Sequence, residues 1–451
     1  MKVLLLTILP IAFSHSIVLA QFAGGSGTKE DPYQVETLEQ LQEVRNHPDK
    51  HFIQIQNIDA SDTKEWRQGL GFNPIGTNTY PFTGTYYGAG YNISELFISY
   101  CPVCPVHSPF GLFGQIYGAK IKNTKLVNAD VSGPNRSVGG VGVLVGNNSG
   151  EIINSCVTGL VSGRENVGGL AGINSGKILN SCTGADVTGN EDYIGGLAGD
   201  NSGEIRNSFA TGSVSGKNNV GGMVGWNDGQ IKNSYASGDV SGDSRVGGLA
   251  GYNRDKGVIA TCYANGHVTG RDDLGGFVGW NNATMDTCYW DRETTRQNEG
   301  IGRGDPDGAT GLTTSQMTGI AAHENMSAFD FEKIWLLTEA YPALYWEDVE
   351  SIEVYAESFY QELPEQFTLE QNYPNPFNPS TQIRFAIQEP THVNLSVYNL
   401  IGQQVATLVY ENRSPGRHEV TFDATGLSSG MFIYRIEAGE YVETRSMMLV
   451  K

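Results

Sequence analysis

The sequence predicts an all-β chain: a right-handed parallel β-solenoid of about 26 residues per coil, followed by a small immunoglobulin-like β-sandwich. Three observations carry this. Gly makes up 58 of 451 residues, far above the usual ~7%, which argues against a helical protein. Gly-Gly-x-x-Gly segments at 168–172, 195–199, 221–225, 247–251 and 275–279, with the related 142–146, end at intervals of 26, 27, 26, 26 and 28 residues. The glycine repeats then stop, and a Pro-rich stretch at 373–379 opens a series of short alternating strands.

Taken in order, residues 1–20 read as a signal peptide: Lys2, a mostly apolar run from Val3 to Val18, and small residues before Gln21. No later segment approaches the ~18 apolar residues that span a bilayer, so no transmembrane segment is expected in the mature chain. The formal charge of −20 argues against nucleic acid as a partner and allows cations, glycans and protein surfaces. Residues 21–107 are assigned to an N-terminal cap and the first coils.

Residues 108–295 hold the repeats. Each carries three apolar columns: Leu144, Leu170, Leu197, Met223, Leu249, Phe277; Ile152, Ile178, Ile205, Ile231, Ile259, Met285; and Val161, Val187, Val214, Val240, Val268. Three short β-prone runs per period, stacked at about 4.8 Å, make one coil of a solenoid whose columns form the core. Asn148, Asn174, Asn201, Asn227, Asn253 and Asn281 share one position and are expected to form a structural ladder of amides at a corner. These residues resemble the GLUG-motif family of bacterial surface and secreted proteins. The segment 82–93 resembles the strand-turn-strand unit that precedes such repeats. Cys288-Tyr289-Trp290-Asp291 and Tyr341-Pro342-Ala343-Leu344 resemble the segment that follows them. Residues 296–350 would then be a C-terminal cap segment, with 351–364 a linker.

Six cysteines in an exported chain suit disulfides. Cys156 and Cys182 fall in one column on adjacent coils, with Phe209, Tyr235, Tyr263 and Tyr289; Cys262 and Cys288 fall together in the neighbouring column; Cys101 and Cys104 are close in sequence. The pairs 101/104, 156/182 and 262/288 are the disulfide candidates, with stacked inward thiols the alternative for 156/182. No metal site is expected from one Cys-x-x-Cys and eight scattered His. Asp305-x-Asp307-Gly308 starts like a calcium loop but has Gln316 at its twelfth position. Structural calcium held by loop carbonyls therefore has no assignable ligands, and no other cofactor is expected.

Residues 365–451 show the alternation of a β-sandwich. Asn372-Tyr373-Pro374-Asn375-Pro376-Phe377-Asn378-Pro379, Val397-Tyr398-Asn399-Leu400-Ile401-Gly402, 427–435 and the terminal Met447-Met448-Leu449-Val450-Lys451 resemble the type A sorting domain of the type IX secretion system. The resemblance implies the type IX secretion machinery as a partner. It also implies transport across an outer membrane, with a final location outside the cell or on its surface.

Catalysis finds little footing. Asp130, Asp186 and Asp239 share a column interrupted by Leu160 and Ser213, without a basic partner in register, and read as solvated edges. His323-Glu324 lacks the second His of a zinc helix, and Arg303-Gly304-Asp305 is too short to be informative. Binding is better motivated. With Leu249 inward, Ala250 outward and Gly251 inward, the next position faces solvent and holds Trp226, Tyr252 and Trp280 on successive coils. The reading is an adhesin-like surface protein binding a glycan, matrix or protein. The alternatives are an extracellular β-helix lyase or hydrolase acting on polysaccharide, or a structural matrix component.

Overall fold

The computed structural model describes residues 21–100, 109–134, 139–347, 366–388, 391–413, 416–439 and 441–450. The signal-peptide reading, Cys101 and Cys104 lie outside them. Between residues 120 and 304 the chain winds through about seven turns of a parallel β-solenoid. Three sheets run along it, of 16, 14 and 6 strands. Coil sits on coil in register: Val145 pairs with Ala171, Ala171 with Ala198, Ala198 with Val224, Val224 with Ala250 and Ala250 with Val278. The backbone N–H of Leu170 donates to the Leu197 carbonyl at 3.0 Å, and that of Leu197 to Met223 at 2.8 Å. Like residues therefore stack directly over like.

The three apolar columns form the core. Leu144, Leu170, Leu197, Met223, Leu249 and Phe277 are fully buried, as are Ile152, Ile178, Ile205, Ile231 and Ile259. Burying one such side chain is worth roughly 1.5–3 kcal/mol, so each coil contributes only a little alone and the stack is held by its repetition.

The glycines of the repeat have a steric cause. A Cβ on Gly222 would stand 2.1 Å from the Gly248 carbonyl oxygen, and one on Gly225 would stand 2.3 Å from the Ile194 nitrogen of the preceding coil. The Gly-Gly-x-x-Gly segment is thus a corner at which the backbones of neighbouring coils close to a distance only glycine allows.

At the N-terminal end, Ala23 and Gly24 pair with Gln34 beside the edge strand Tyr33–Val35. The helix Leu38–Glu43, with a Thr37 capping box, packs Leu38 and Leu41 on the core. At the other end Trp290 closes the core. Residues 313–347 then run along the side of the solenoid as a strap, rather than only over its end. They include the helices Thr314–Met317 and Gly319–Asn325 and the antiparallel pair Trp335–Leu336 and Ala343–Leu344.

Residues 366–450 build two antiparallel sheets, of three and four strands, around a separate core that includes Phe385, Leu395, Phe422 and Tyr434. The Tyr434 hydroxyl donates to the Glu370 carbonyl at 2.7 Å and accepts the Asn372 N–H at 2.8 Å, fixing the entry of the Pro-rich stretch.

Candidate binding site

The asparagine column lies inside the corner of the long sheet. Asn148 donates its amide to Asn174 at 2.6 Å, Asn174 to Asn201 at 2.7 Å, Asn201 to Asn227 at 2.8 Å, and Asn227 to Asn253 and Asn253 to Asn281, both at 2.9 Å. Asn281 ends the run on the Asp305 carbonyl at 3.0 Å. All six are buried, so these amides are turned away from solvent and from any external ligand.

The cysteines divide by the side of the strand they occupy. Cys156 and Cys182 are bonded, with Cα atoms 4.5 Å apart, at half-buried positions on the outside of the sheet. The 262/288 pairing is not formed: both thiols are free and buried. They occupy the column of Ser155, Ser181, Ser208 and Ser234, whose hydroxyls each donate to the carbonyl two residues earlier at 2.8–2.9 Å. Cys262 and Cys288 do the same, toward Ala260 at 3.1 Å and Asp286 at 3.4 Å. Each thiol is directed at backbone carbonyls rather than at the other sulfur. Burial pushes the Cys288 thiol up to about 12 and raises that of Cys262 well above its ordinary value, so neither is a thiolate.

Two aromatic ladders lie on the outside of the solenoid. On the second sheet, Phe209 stacks on Tyr235 at 5.0 Å and Tyr235 on Tyr263 at 4.8 Å. The strap covers this ladder. Trp346 stacks on Phe209 at 5.4 Å, the Tyr263 hydroxyl donates to the Pro342 carbonyl at 2.7 Å, and Trp335 is fully buried against the rings. The Tyr235 hydroxyl bonds Glu347 at 2.7 Å; burial raises that carboxyl to about 7.

On the long sheet, Trp226, Tyr252 and Trp280 are in register, and no comparable segment covers them among the described residues. The alternation expected there is offset: Ala250 is as buried as Leu249, because the glycine corner turns the chain between the two sheets and both side chains enter the core. Trp226 meets Tyr252 edge-on at 4.9 Å, and Tyr252 stacks on Trp280 at 4.8 Å. Tyr193 packs edge-on against Trp226 at 5.0 Å. Three guanidinium groups complete the surface: Arg254 over Trp226 at 5.2 Å, Arg245 over Trp280 at 4.7 Å, and Arg303 over Trp280 at 4.4 Å. Tyr252 is only 9% exposed, whereas Trp226 and Trp280 are half-buried. Ring faces are therefore largely occupied within the protein, and what reaches solvent is ring rims and the N–H edges of the arginines. Asp200 adjoins Trp226 in register, and burial, helped by Asp228, raises its carboxyl to about 6.

Tyr193, Arg245 and Arg254 are absent from the sequence reading, and Arg303 entered it only as part of the Arg-Gly-Asp tripeptide. One backbone feature distinguishes the first two. Their column also contains Asn166, Asn219 and Asp273, all left-handed, and Tyr193 (φ 66°) and Arg245 (φ 56°) adopt that conformation although long side chains disfavour it. Both bulky exceptions lean on the aromatic ladder. Asp186 and Asp239 are exposed and accept backbone N–H groups of the next coil. Arg303 of the Arg-Gly-Asp tripeptide is committed to Trp280 and lies 4.0 Å from Asp273. Among the described residues no cluster of metal-ligating side chains occurs, and no helix is long and apolar enough to cross a membrane.

Comparison with known proteins agrees with this architecture. Residues 216–241 and 242–269 match the GLUG motif, and residues 371–451 match the Secretion system C-terminal sorting domain. Part of the chain is 38% identical over 152 residues to a "Putative Gly-rich membrane protein" of Evansella cellulosilytica, covering 32% of this chain and 17% of that protein. It is also 37% identical over 134 residues to Halomucin of Haloquadratum walsbyi, covering 28% of this chain and 1% of that protein. The chain thus spans a small fraction of the length of either relative. It carries GLUG-motif repeats wound into a solenoid and, at its C-terminus, a type IX sorting domain that directs it to secretion and the cell surface.

Proposed function

We propose that the protein is an adhesin-like binding protein displayed outside the cell, and that the Trp226–Tyr252–Trp280 ladder with its arginines docks an extracellular glycan, matrix or protein surface. The observation that carries this reading is the contrast between the two ladders. An apolar stack on the outside of this solenoid costs exposed hydrophobic surface unless something covers it. The protein covers one ladder with its own strap, while the other is bordered by cations and by two long side chains held in a disfavoured backbone conformation. Rings and guanidinium groups of this kind are the side chains that most often dominate docking energies.

The test is a glycan and matrix-protein array probed with the full chain and with a Trp226→Ala/Trp280→Ala variant, alongside a reducing-sugar release assay. Binding that falls at least tenfold in the variant supports the reading. Sugar release that the variant retains would instead favour an enzyme.

A further inference from the structure

The second sheet holds an outer groove of about 440 Å³, separate from both aromatic ladders and crossing four successive coils. Its origin is a bend. At Gly212, Gly238 and Gly266 a Cβ would stand 2.0, 1.9 and 1.9 Å from the carbonyl oxygen of the preceding coil, so the sheet folds inward along a glycine column. Beyond the bend the strands resume, with Val187, Val214, Val240 and Val268 buried in the core. Alternation then puts the residues on either side of each valine outward.

Two polar rows result. One holds Asp186, Ser213, Asp239 and His267; the other holds Thr188, Ser215, Ser241 and Thr269, one hydroxyl per coil. The carboxylates are positioned by the fold. One oxygen of Asp186 accepts the Ser213 N–H at 2.9 Å, and one oxygen of Asp239 accepts the His267 N–H at 3.1 Å. The second oxygen of each has no partner among the described residues. Fixed acceptors beside a regular row of hydroxyls lose little conformational entropy when they bind.

We infer that this groove is a binding site for an extended glycan chain that carries no negative charge, lying along the solenoid axis. Inter-coil spacing is about 4.8 Å, close to the advance per ring of an extended sugar chain. Successive rings would therefore each lie beside one hydroxyl of the row Thr188, Ser215, Ser241 and Thr269. Hydroxyls and carboxylates can each pair with sugar hydroxyls, the carboxylates through the stronger charge-assisted bonds. The lining contains two carboxylates and neither Lys nor Arg, so an acidic polysaccharide is disfavoured by like-charge repulsion. The groove is independent of the aromatic ladder proposed above as the docking surface.

The experiment is calorimetric titration of the full chain with cellohexaose, and with hexagalacturonate as the acidic counterpart. Cellohexaose should bind, and hexagalacturonate at least tenfold more weakly. Ser215→Val/Ser241→Val should weaken cellohexaose binding at least tenfold. Valine suits an outward strand position, and the milder Thr269→Val guards against a folding defect, with an expected loss of a few-fold. Absence of cellohexaose binding, equal or tighter binding of hexagalacturonate, or unaltered binding by both valine variants would overturn the assignment. Loss of cellohexaose binding in the tryptophan variant would also overturn it, by moving the glycan to the ladder.

Discussion

Replacing Asn201 by Ala breaks the buried amide ladder at its middle. The substitution removes the acceptor for Asn174, 2.7 Å away, and the donor for Asn227, 2.8 Å away, and both neighbours are fully buried. Each orphaned buried group costs ~1–3 kcal/mol, so the loss should be about 2–6 kcal/mol. Asn281→Ala provides the comparison. At that position the ladder already ends on the Asp305 carbonyl of an exposed residue, which water can hydrate, and only Asn253 is orphaned within the ladder. Its cost should be about half. Denaturant unfolding of the solenoid, followed by circular dichroism with the m-value checked for constancy, measures both. A loss below ~0.5 kcal/mol for Asn201→Ala, within the range of an ordinary surface substitution, would refute the idea that the amides satisfy one another. So would a larger loss for Asn281→Ala than for Asn201→Ala.

Two further predictions concern the strap and the thiols. Glu347, buried against Tyr235, has its carboxyl raised to about 7. The folded state therefore holds this proton more tightly than the unfolded chain does. The resulting stability is fully present below the unfolded value near 4.5 and is lost as pH rises through about 7, amounting to about 3 kcal/mol at most. Docking of Trp346 on Phe209, read by tryptophan fluorescence, should weaken from pH 5 to pH 8 in the native chain, and Glu347→Gln should flatten that dependence; an unchanged slope in the variant would assign it to another group. In the folded protein Cys262 and Cys288 should resist alkylation until denaturant is added, while Cys156 and Cys182 should need a reductant as well. Mass spectrometry that finds 262 and 288 disulfide-linked would contradict the inward column.

The fold was legible because its constraints are local and repeat. One glycine corner per coil, forced by backbone contacts of the kind seen at Gly222, leaves the same trace each time. Leu170, Leu197 and Met223 could therefore be aligned without a structure. The cysteines were legible only in part. Cys262 and Cys288 are adjacent as foreseen, but their orientation follows from the column of Ser155, Ser181, Ser208 and Ser234 that they continue, and those serines were not read as a column. The two aromatic ladders look alike in sequence. Tyr263 is covered and Trp280 is not because of residues such as Pro342 and Trp335, which contact the second sheet from some 70–80 positions downstream. Arg245 and Tyr193 escaped notice for a similar reason: their importance lies in a left-handed backbone position that the repeat otherwise gives to Asn or Asp.

The most direct test of coil-on-coil register is a cross-link. The hydroxyls of Ser175 and Ser202 lie 3.1 Å apart on adjacent coils, beside the paired Asn174 and Asn201. A Ser175→Cys/Ser202→Cys variant should form a disulfide on mild oxidation, seen by mass spectrometry of the non-reduced digest. A Ser175→Cys/Asp228→Cys variant, whose sites are two coils apart at roughly twice the 4.8 Å spacing, exceeds the reach of a disulfide and should form none. A bond in the second variant and none in the first would contradict the stacking on which the solenoid, its ladders and its groove all depend.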